Sequence, residues 1–271
     1  DAWEVAGRTF PEGALLAIDA AAFRESGELP SIETVYTPDD RTSIEGVTVS
    51  RSGLYVSLLQ NVKGSILRFG VEAKSGEWRA EPLPLPPSGT VSLSAANPHS
   101  GTVFVNYEDH ITPDRLSEYD AGANALTRLK ALPARLRADG LQVSQHPVRS
   151  ADGEMVPYFA IHRKGLKPDG PTPTILYGYG GFEISLKPSY SATIGKLWLE
   201  RGGAYAVANI RGGGEFGPRW HKAALKTQRQ RAYDDFIAVA ENLAKRGITS
   251  PKHLGISGGS NGGLLVGAIF T

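Results

Sequence analysis

The chain has 271 residues, 41% of them hydrophobic and 21% charged, with 29 Lys and Arg against 28 Asp and Glu. At roughly 150 residues per domain, that length and ordinary globular composition suggest two units or parts of two. A net charge of +1 argues against a nucleic-acid binder, the absence of cysteine excludes disulfides and thiolate nucleophiles, and no apolar run reaches the roughly 18 residues of a membrane-spanning helix.

The average charge hides an asymmetry. Residues 1–150 carry 14 basic and 19 acidic side chains, net −5, whereas residues 151–271 carry 15 and 9, net +6. Opposite fields of this kind suit two bodies that dock on each other.

The first half reads as short strands and turns. Val47 and Val49, then Leu54, Val56 and Leu58, then Leu67, Phe69 and Val71 alternate with the period of two that marks half-buried strands. Ser52-Gly53 and Ser100-Gly101 are turn pairs 48 residues apart, each followed by a β-rich run, at 54–58 and 102–107. A third strand follows each, at 67–71 and at 116–119, and a similar run at 15–19 begins 52 residues before Leu67. A four-strand unit repeating at this interval fits a β-propeller blade; a β-sandwich with two similar hairpin groups is the alternative. Two and a half blades leave an open ring with exposed strand edges, so the chain is expected to be incomplete at its N-terminal end.

From about residue 141 the pattern changes. Residues 156–162 read as an apolar strand, and 174–177 and 204–208 are short apolar runs suited to strands buried on both faces. Residues 194–201 read as a helix closed by Gly202-Gly203. Residues 232–246 read as a longer one, with Tyr233, Phe236, Ile237, Ala240, Leu243 and Ala244 along one stripe and Asp234 and Asp235 in its first turn. A further strand spans 253–257. Strands alternating with helices imply an α/β unit with a parallel sheet. The expected division is therefore 1–140 and 141–271.

Gly258-Gly259-Ser260-Asn261-Gly262 matches G-x-S-x-G, between that last strand and an apolar helix from 263 to 270. A serine on a sharp strand-to-helix turn presents its hydroxyl above the sheet edge, as a nucleophile requires. A Gly-rich helix start that binds phosphate is the competing reading. The serine needs a base oriented by an acid. The eleven residues after Ser260 contain no Asp, Glu or His, and all six histidines precede it. His221, expected in the loop after the strand ending at Asn209, is the least implausible local base. A loop-packing role suits it better. Arg211 and Glu215 read as a loop ion pair or as backbone anchors.

The motif 258–263, with Leu176-Tyr177-Gly178-Tyr179-Gly180-Gly181-Phe182 and Ala208-Asn209-Ile210-Arg211-Gly212-Gly213-Gly214-Glu215, resembles the prolyl oligopeptidase family of serine peptidases. The resemblance runs from about Leu141 to the end. It implies β-propeller blades followed by an α/β-hydrolase with a doubly wound, mostly parallel sheet, both incomplete here. The activity it implies is cleavage of short peptides on the carboxyl side of proline through an acyl-enzyme; the alternatives are an acyl hydrolase or exopeptidase of the same fold and a non-catalytic propeller and hydrolase interaction protein. By the same resemblance Ser260 is the nucleophile, the Asn261 N–H and the Tyr179 phenol form the oxyanion hole, and Phe182 lines the proline pocket. The missing Asp and His are expected beyond Thr271. No cofactor or metal is implied. The expected partners are short proline-containing peptides, without nucleic acid or membrane, and the expected state is a monomer. The sequence favours neither cytosol nor periplasm.

Overall fold

The computed structural model describes residues 2–169 and 171–270. The N-terminal half is built of antiparallel sheets. A hairpin of β1 (Trp3–Val5) and β2 (Arg8–Phe10) precedes β3 (Leu15–Ala17), helix α1 (Ala20–Ser26) and β4 (Glu33–Tyr36), and β3 pairs with β4. The strand read at 15–19 is thus real but ends at Ala17, where Asp19 accepts from the N–H groups of Ala21 and Ala22 and caps α1.

Two four-stranded meanders follow. The first is β5 (Thr42–Ser50), β6 (Gly53–Gln60), β7 (Lys63–Val71) and β8 (Trp78–Pro82); the second is β9 (Thr90–Ala96), β10 (Val103–Glu108), β11 (Arg115–Asp120) and β12 (Ala125–Ala131). Each is one propeller blade, and a shared core joins Tyr55 and Ile66 of the first to Val103, Val105 and Tyr119 of the second. Arg68 donates to the Ala121 carbonyl, and Arg51 N–H to that of Ser100, tying blade to blade. The β6–β7 turn is two residues long, and both Asn61 and Val62 have positive φ, the pattern of a type I′ hairpin.

The second half forms one mixed sheet. Its strands are β13 (Leu141–Arg149), β14 (Met155–Arg163), β15 (Thr174–Tyr177), β16 (Ala204–Ala208) and β17 (Leu254–Ser257), in the order β13-β14-β16-β15-β17. β15 is parallel to β16 and β17, and β14 is antiparallel to β13 and β16. Four helices accompany it: α2 (Ala192–Leu197), extended by a 3₁₀ turn at Leu199–Arg201, α3 (Pro218–Lys222), α4 (Gln230–Lys245) and α5 (Asn261–Phe270). This is an α/β-hydrolase sheet as far as its fifth strand.

α4 packs through Ala232, Phe236, Val239 and Leu243, all fully buried, together with Leu176 of β15 and Tyr158 of β14. The expected stripe shares Phe236 and Leu243 with this face, and Tyr233 and Ala240 pack beside it, but Ile237 is exposed and Val239 buried. The helix begins at Gln230, so Asp235 lies beyond the first turn, inside the buried face.

Polar contacts join the halves. Arg41 donates to the Met155 carbonyl (3.1 Å) and stacks over the Phe216 ring, Thr90 donates to the Pro188 carbonyl (2.6 Å), and Lys187 pairs with Glu45 (2.8 Å). Val62, at the tip of the β6–β7 hairpin, is fully buried in the hydrolase core, while Gln145 of β13 donates to the Asn61 carbonyl (2.7 Å). Among the described residues no helix is long and apolar enough to cross a membrane.

Candidate active site

Parallel pairing places Tyr177 of β15 opposite Ser257 of β17, so the segments leaving their carboxyl ends, 178–182 and 258–261, emerge side by side. The chain leaves β15 for β16 on one side and returns to β17 on the other. Carboxyl ends at such a reversal of strand order are where open α/β sheets bind ligands.

Ser260 occupies the turn between β17 and α5, exposed, with φ of +52°. A non-glycine residue held in the left-handed region costs about 1–3 kcal/mol and persists where its surroundings over-determine it. Here hydrogen bonds close the turn from Gly262 N–H to the Gly259 carbonyl (2.7 Å) and from Gly263 N–H to that of Ser260 (2.9 Å). Two glycines make room for it. A Cβ on Gly258 would run into the Gly262 carbonyl oxygen, and one on Gly262 would lie 2.5 Å from that of Gly178.

Asn261 is the first residue of α5, and its N–H meets no acceptor among the described residues. A helix start of this kind favours negative charge in front of it. Its side-chain Nδ2 donates to the Tyr179 carbonyl at 2.6 Å, which fixes the serine turn against the glycine loop. Tyr179 is half-buried there, one residue before Gly180, whose φ is +59°. Phe182 also has positive φ, +54°, and it is 73% exposed, so packing within the loop does not hold its ring.

Five of the six histidines make contacts away from Ser260. His221 lies on α3, not in a loop, with Nδ1 at 2.7 Å from the Gly212 carbonyl and 3.1 Å from the Glu183 N–H. His253 Nδ1 meets the Ser250 hydroxyl at 2.7 Å, before β17 begins. His110 stacks on Phe159 and His146 on Tyr158. His162 Nδ1 faces the Arg163 carbonyl. Burial lowers His110 to about 4, so it stays neutral.

Arg211 does not pair with Glu215. Its guanidinium, 4% exposed, binds Asp235 (2.6 Å) and Asp152 (2.5 Å), and Asp235 also accepts from the Arg211 N–H and from Ser150. Against burial, these two carboxylates raise the guanidinium above its ordinary value. Glu215 is the backbone anchor: its Oε1 accepts from Leu186 N–H (3.0 Å) and from Asn209 Nδ2 (3.3 Å). Its Oε2 and Asn209 Oδ1 meet no partner among the described residues, and burial pushes the carboxyl up to about 7. No group of three or more metal-ligating side chains occurs among the described residues.

Two family descriptions match the chain. Residues 4–131 match the prolyl oligopeptidase N-terminal β-propeller domain and residues 188–271 the prolyl oligopeptidase family. The chain is 47% identical over 262 residues to an uncharacterized peptidase of Sinorhizobium fredii, a match covering 96% of this chain and 36% of that protein. It is 40% identical over 189 residues to a prolyl endopeptidase of Elizabethkingia meningoseptica, covering 70% of this chain and 27% of that one. A post-proline cleaving enzyme of Rickettsia typhi superposes with a TM-score of 0.87 at 32% identity, over 98% of this chain and 38% of the other. The chain thus spans about a third of the length of these relatives. With blades, a hydrolase sheet and a serine at its strand-to-helix turn all on one polypeptide, the chain belongs to the prolyl oligopeptidase family of serine peptidases.

Proposed function

We propose that the complete protein is a serine endopeptidase that cleaves short peptides on the carboxyl side of proline through an acyl-enzyme. The observation that carries this is Ser260, held at φ of +52° on a strand-to-helix turn against the Tyr179 loop. Ser260 Oγ attacks the carbonyl carbon of the proline residue as its proton passes to a base, the C–N bond to the next residue breaks with that amine leaving protonated, and water then hydrolyses the ester. The Asn261 N–H and the Tyr179 phenol donate to the oxygen that becomes negative, and the exposed Phe182 ring offers a flat apolar wall for a pyrrolidine. Similarity to a prolyl endopeptidase and to a post-proline cleaving enzyme supports the proline preference.

The base and its orienting acid belong, in this reading, to the part of a polypeptide as long as its relatives that these residues do not cover. The contacts that His110, His146, His162, His221 and His253 make away from Ser260 support that assignment. The division between propeller and hydrolase falls at about residue 140, between Ala131, where β12 ends, and Leu141, where β13 begins.

The test is hydrolysis of a chromogenic proline peptide by the complete enzyme and by Ser260→Ala. The variant is expected to lose several orders of magnitude in turnover, keeping only the background from binding and the oxyanion hole. Retained turnover refutes Ser260 as nucleophile. Equal cleavage after residues other than proline refutes the specificity.

A further inference from the structure

Arg229, the residue before α4, is half-buried and lies 31 positions upstream of the serine, outside every motif in the sequence. Its guanidinium donates through Nη1 to the Gly180 carbonyl and through Nη2 to Asn261 Oδ1 at 3.4 Å. Asn261 Nδ2 in turn donates to the Tyr179 carbonyl at 2.6 Å. These three contacts close a ring. It runs from Arg229 to the loop that carries Tyr179, along one peptide bond, across to Asn261 and back to Arg229.

The ring joins the two elements that the proposed chemistry needs in fixed relation, the Tyr179 hydroxyl and the Asn261 N–H. A planar guanidinium suits this place because its donors leave in a rigid fork, one toward each oxygen, where an ammonium is a single point charge. The fork is itself held. Its carbon lies 5.4 Å from the Tyr233 ring centroid, and a Cβ on Gly212 would intrude to 3.2 Å from Nη1. Asn261 shares its Oδ1 and Nδ2 between the two sides, so its side chain is committed to this bracing and its N–H is left for the substrate oxygen.

We infer that Arg229 is a positioning residue for the oxyanion hole, bracing the Tyr179 loop and Asn261 at the separation that the tetrahedral intermediate requires. Among the described residues Arg229 makes no hydrogen bond to the Ser260 hydroxyl. The inference rests on the proposed serine-peptidase chemistry. Loss of the brace leaves substrate binding intact and moves one donor relative to the other, which damages the transition state more than the ground state. Misplacement of a catalytic group by about 1 Å costs on the order of a hundredfold.

The experiment compares wild type, Arg229→Met, Arg229→Lys, Asn261→Ala and the double variant Arg229→Met/Asn261→Ala in the complete enzyme. Two readouts are taken: kcat and KM on a short proline peptide, and the second-order rate of Ser260 labelling by a fluorophosphonate. Arg229→Met is expected to lower kcat about 10- to 100-fold with KM nearly unchanged, and to slow labelling in parallel. Arg229→Lys falls between it and wild type. The double variant loses much less than the product of the single losses, because both remove the same brace. Unchanged kcat and labelling, a loss confined to KM, or full additivity overturns the inference. Should Arg229→Met fail to fold, Arg229→Lys and Asn261→Ala decide by the same kcat and labelling criteria. A wild type that is labelled at Ser260 but leaves the proline peptide intact refutes the specificity alone, and the labelling rates then judge Arg229. A wild type that is neither labelled nor active overturns both.

Discussion

Replacing Asp235 by Asn isolates the energetics of the buried Arg211 cluster. Asp235 is fully buried and accepts from Arg211 three times, through the backbone N–H (3.0 Å), Nε (2.9 Å) and Nη2 (2.6 Å), and once from Ser150 (2.6 Å). Asn keeps the shape but removes the charge, and its amide turns a donor toward groups that are themselves donors. Breaking a buried pair from one side costs about 3–5 kcal/mol, because the remaining ion stays desolvated. Asp152 keeps its two bonds to Arg211 and is 37% exposed at the side chain, so the lower end, about 3 kcal/mol, applies. At roughly 2–4 °C per kcal/mol for a cooperative unit of 150–250 residues, the midpoint falls by about 6–12 °C. Asp152→Asn, with Asp235 intact behind it, should cost about 1 kcal/mol or less. Thermal unfolding of the complete enzyme, followed by circular dichroism, measures both. An Asp235→Asn loss no larger than that of Asp152→Asn refutes the argument that desolvation sets the scale here.

Three further outcomes are expected. Tyr179→Phe keeps the ring and deletes one donor, so kcat on a proline peptide should fall by about 10²–10³, or by as little as about tenfold if water substitutes, while KM changes little; a penalty wholly in KM makes Tyr179 a binding residue. Glu215, raised by burial to about 7, binds a proton more readily folded than unfolded, so its ionisation destabilises the fold by an amount that grows from about pH 4.5 and levels off above about pH 7, near 3 kcal/mol. Glu215→Gln should therefore unfold at a higher temperature than wild type at pH 8 and show no such advantage at pH 4.5; equal midpoints at both refute the assignment. Gly262→Ala, whose Cβ would meet the Gly178 oxygen at 2.5 Å, should lose both stability and turnover, whereas at Gly263 the nearest such atom is at 3.8 Å and Ala should leave the melting temperature unchanged or raise it.

The blades and the sheet were legible because period-two alternation and turn pairs repeat along the chain, and because continuous apolar runs flank the glycine motifs. What sequence reading missed lies in long-range polar contacts. A stripe that takes in Ile237 is turned partly away from the face of α4 that packs, and that turn hides Asp235, which stands on the buried face with Ala232, Phe236 and Val239. An acid on the apolar face of a helix, with an arginine in the preceding glycine loop, was the available signal. Arg229 had none, because its partners are a backbone carbonyl and an asparagine 32 positions away. Of the two roles that suit Glu215, the backbone anchor is the one it fills, through Leu186 N–H, and pairing with Arg211 is not, because Asp235 and Asp152 occupy the guanidinium instead.

The hairpin tip at Val62 couples the first blade to the hydrolase core. A β-branched residue in the left-handed region costs roughly 1–2 kcal/mol, and burying a valine side chain returns about 1.5–3 kcal/mol. Besides the β6–β7 pairing and the Asn61 N–H bond to the Arg41 carbonyl, the hydrolase core that receives Val62 thus helps to sustain the strained turn. In native-state hydrogen exchange, the amides at the tip of β6 and β7 should therefore open together with β13 and β14, on the far side of the domain boundary, rather than with β8 of their own blade.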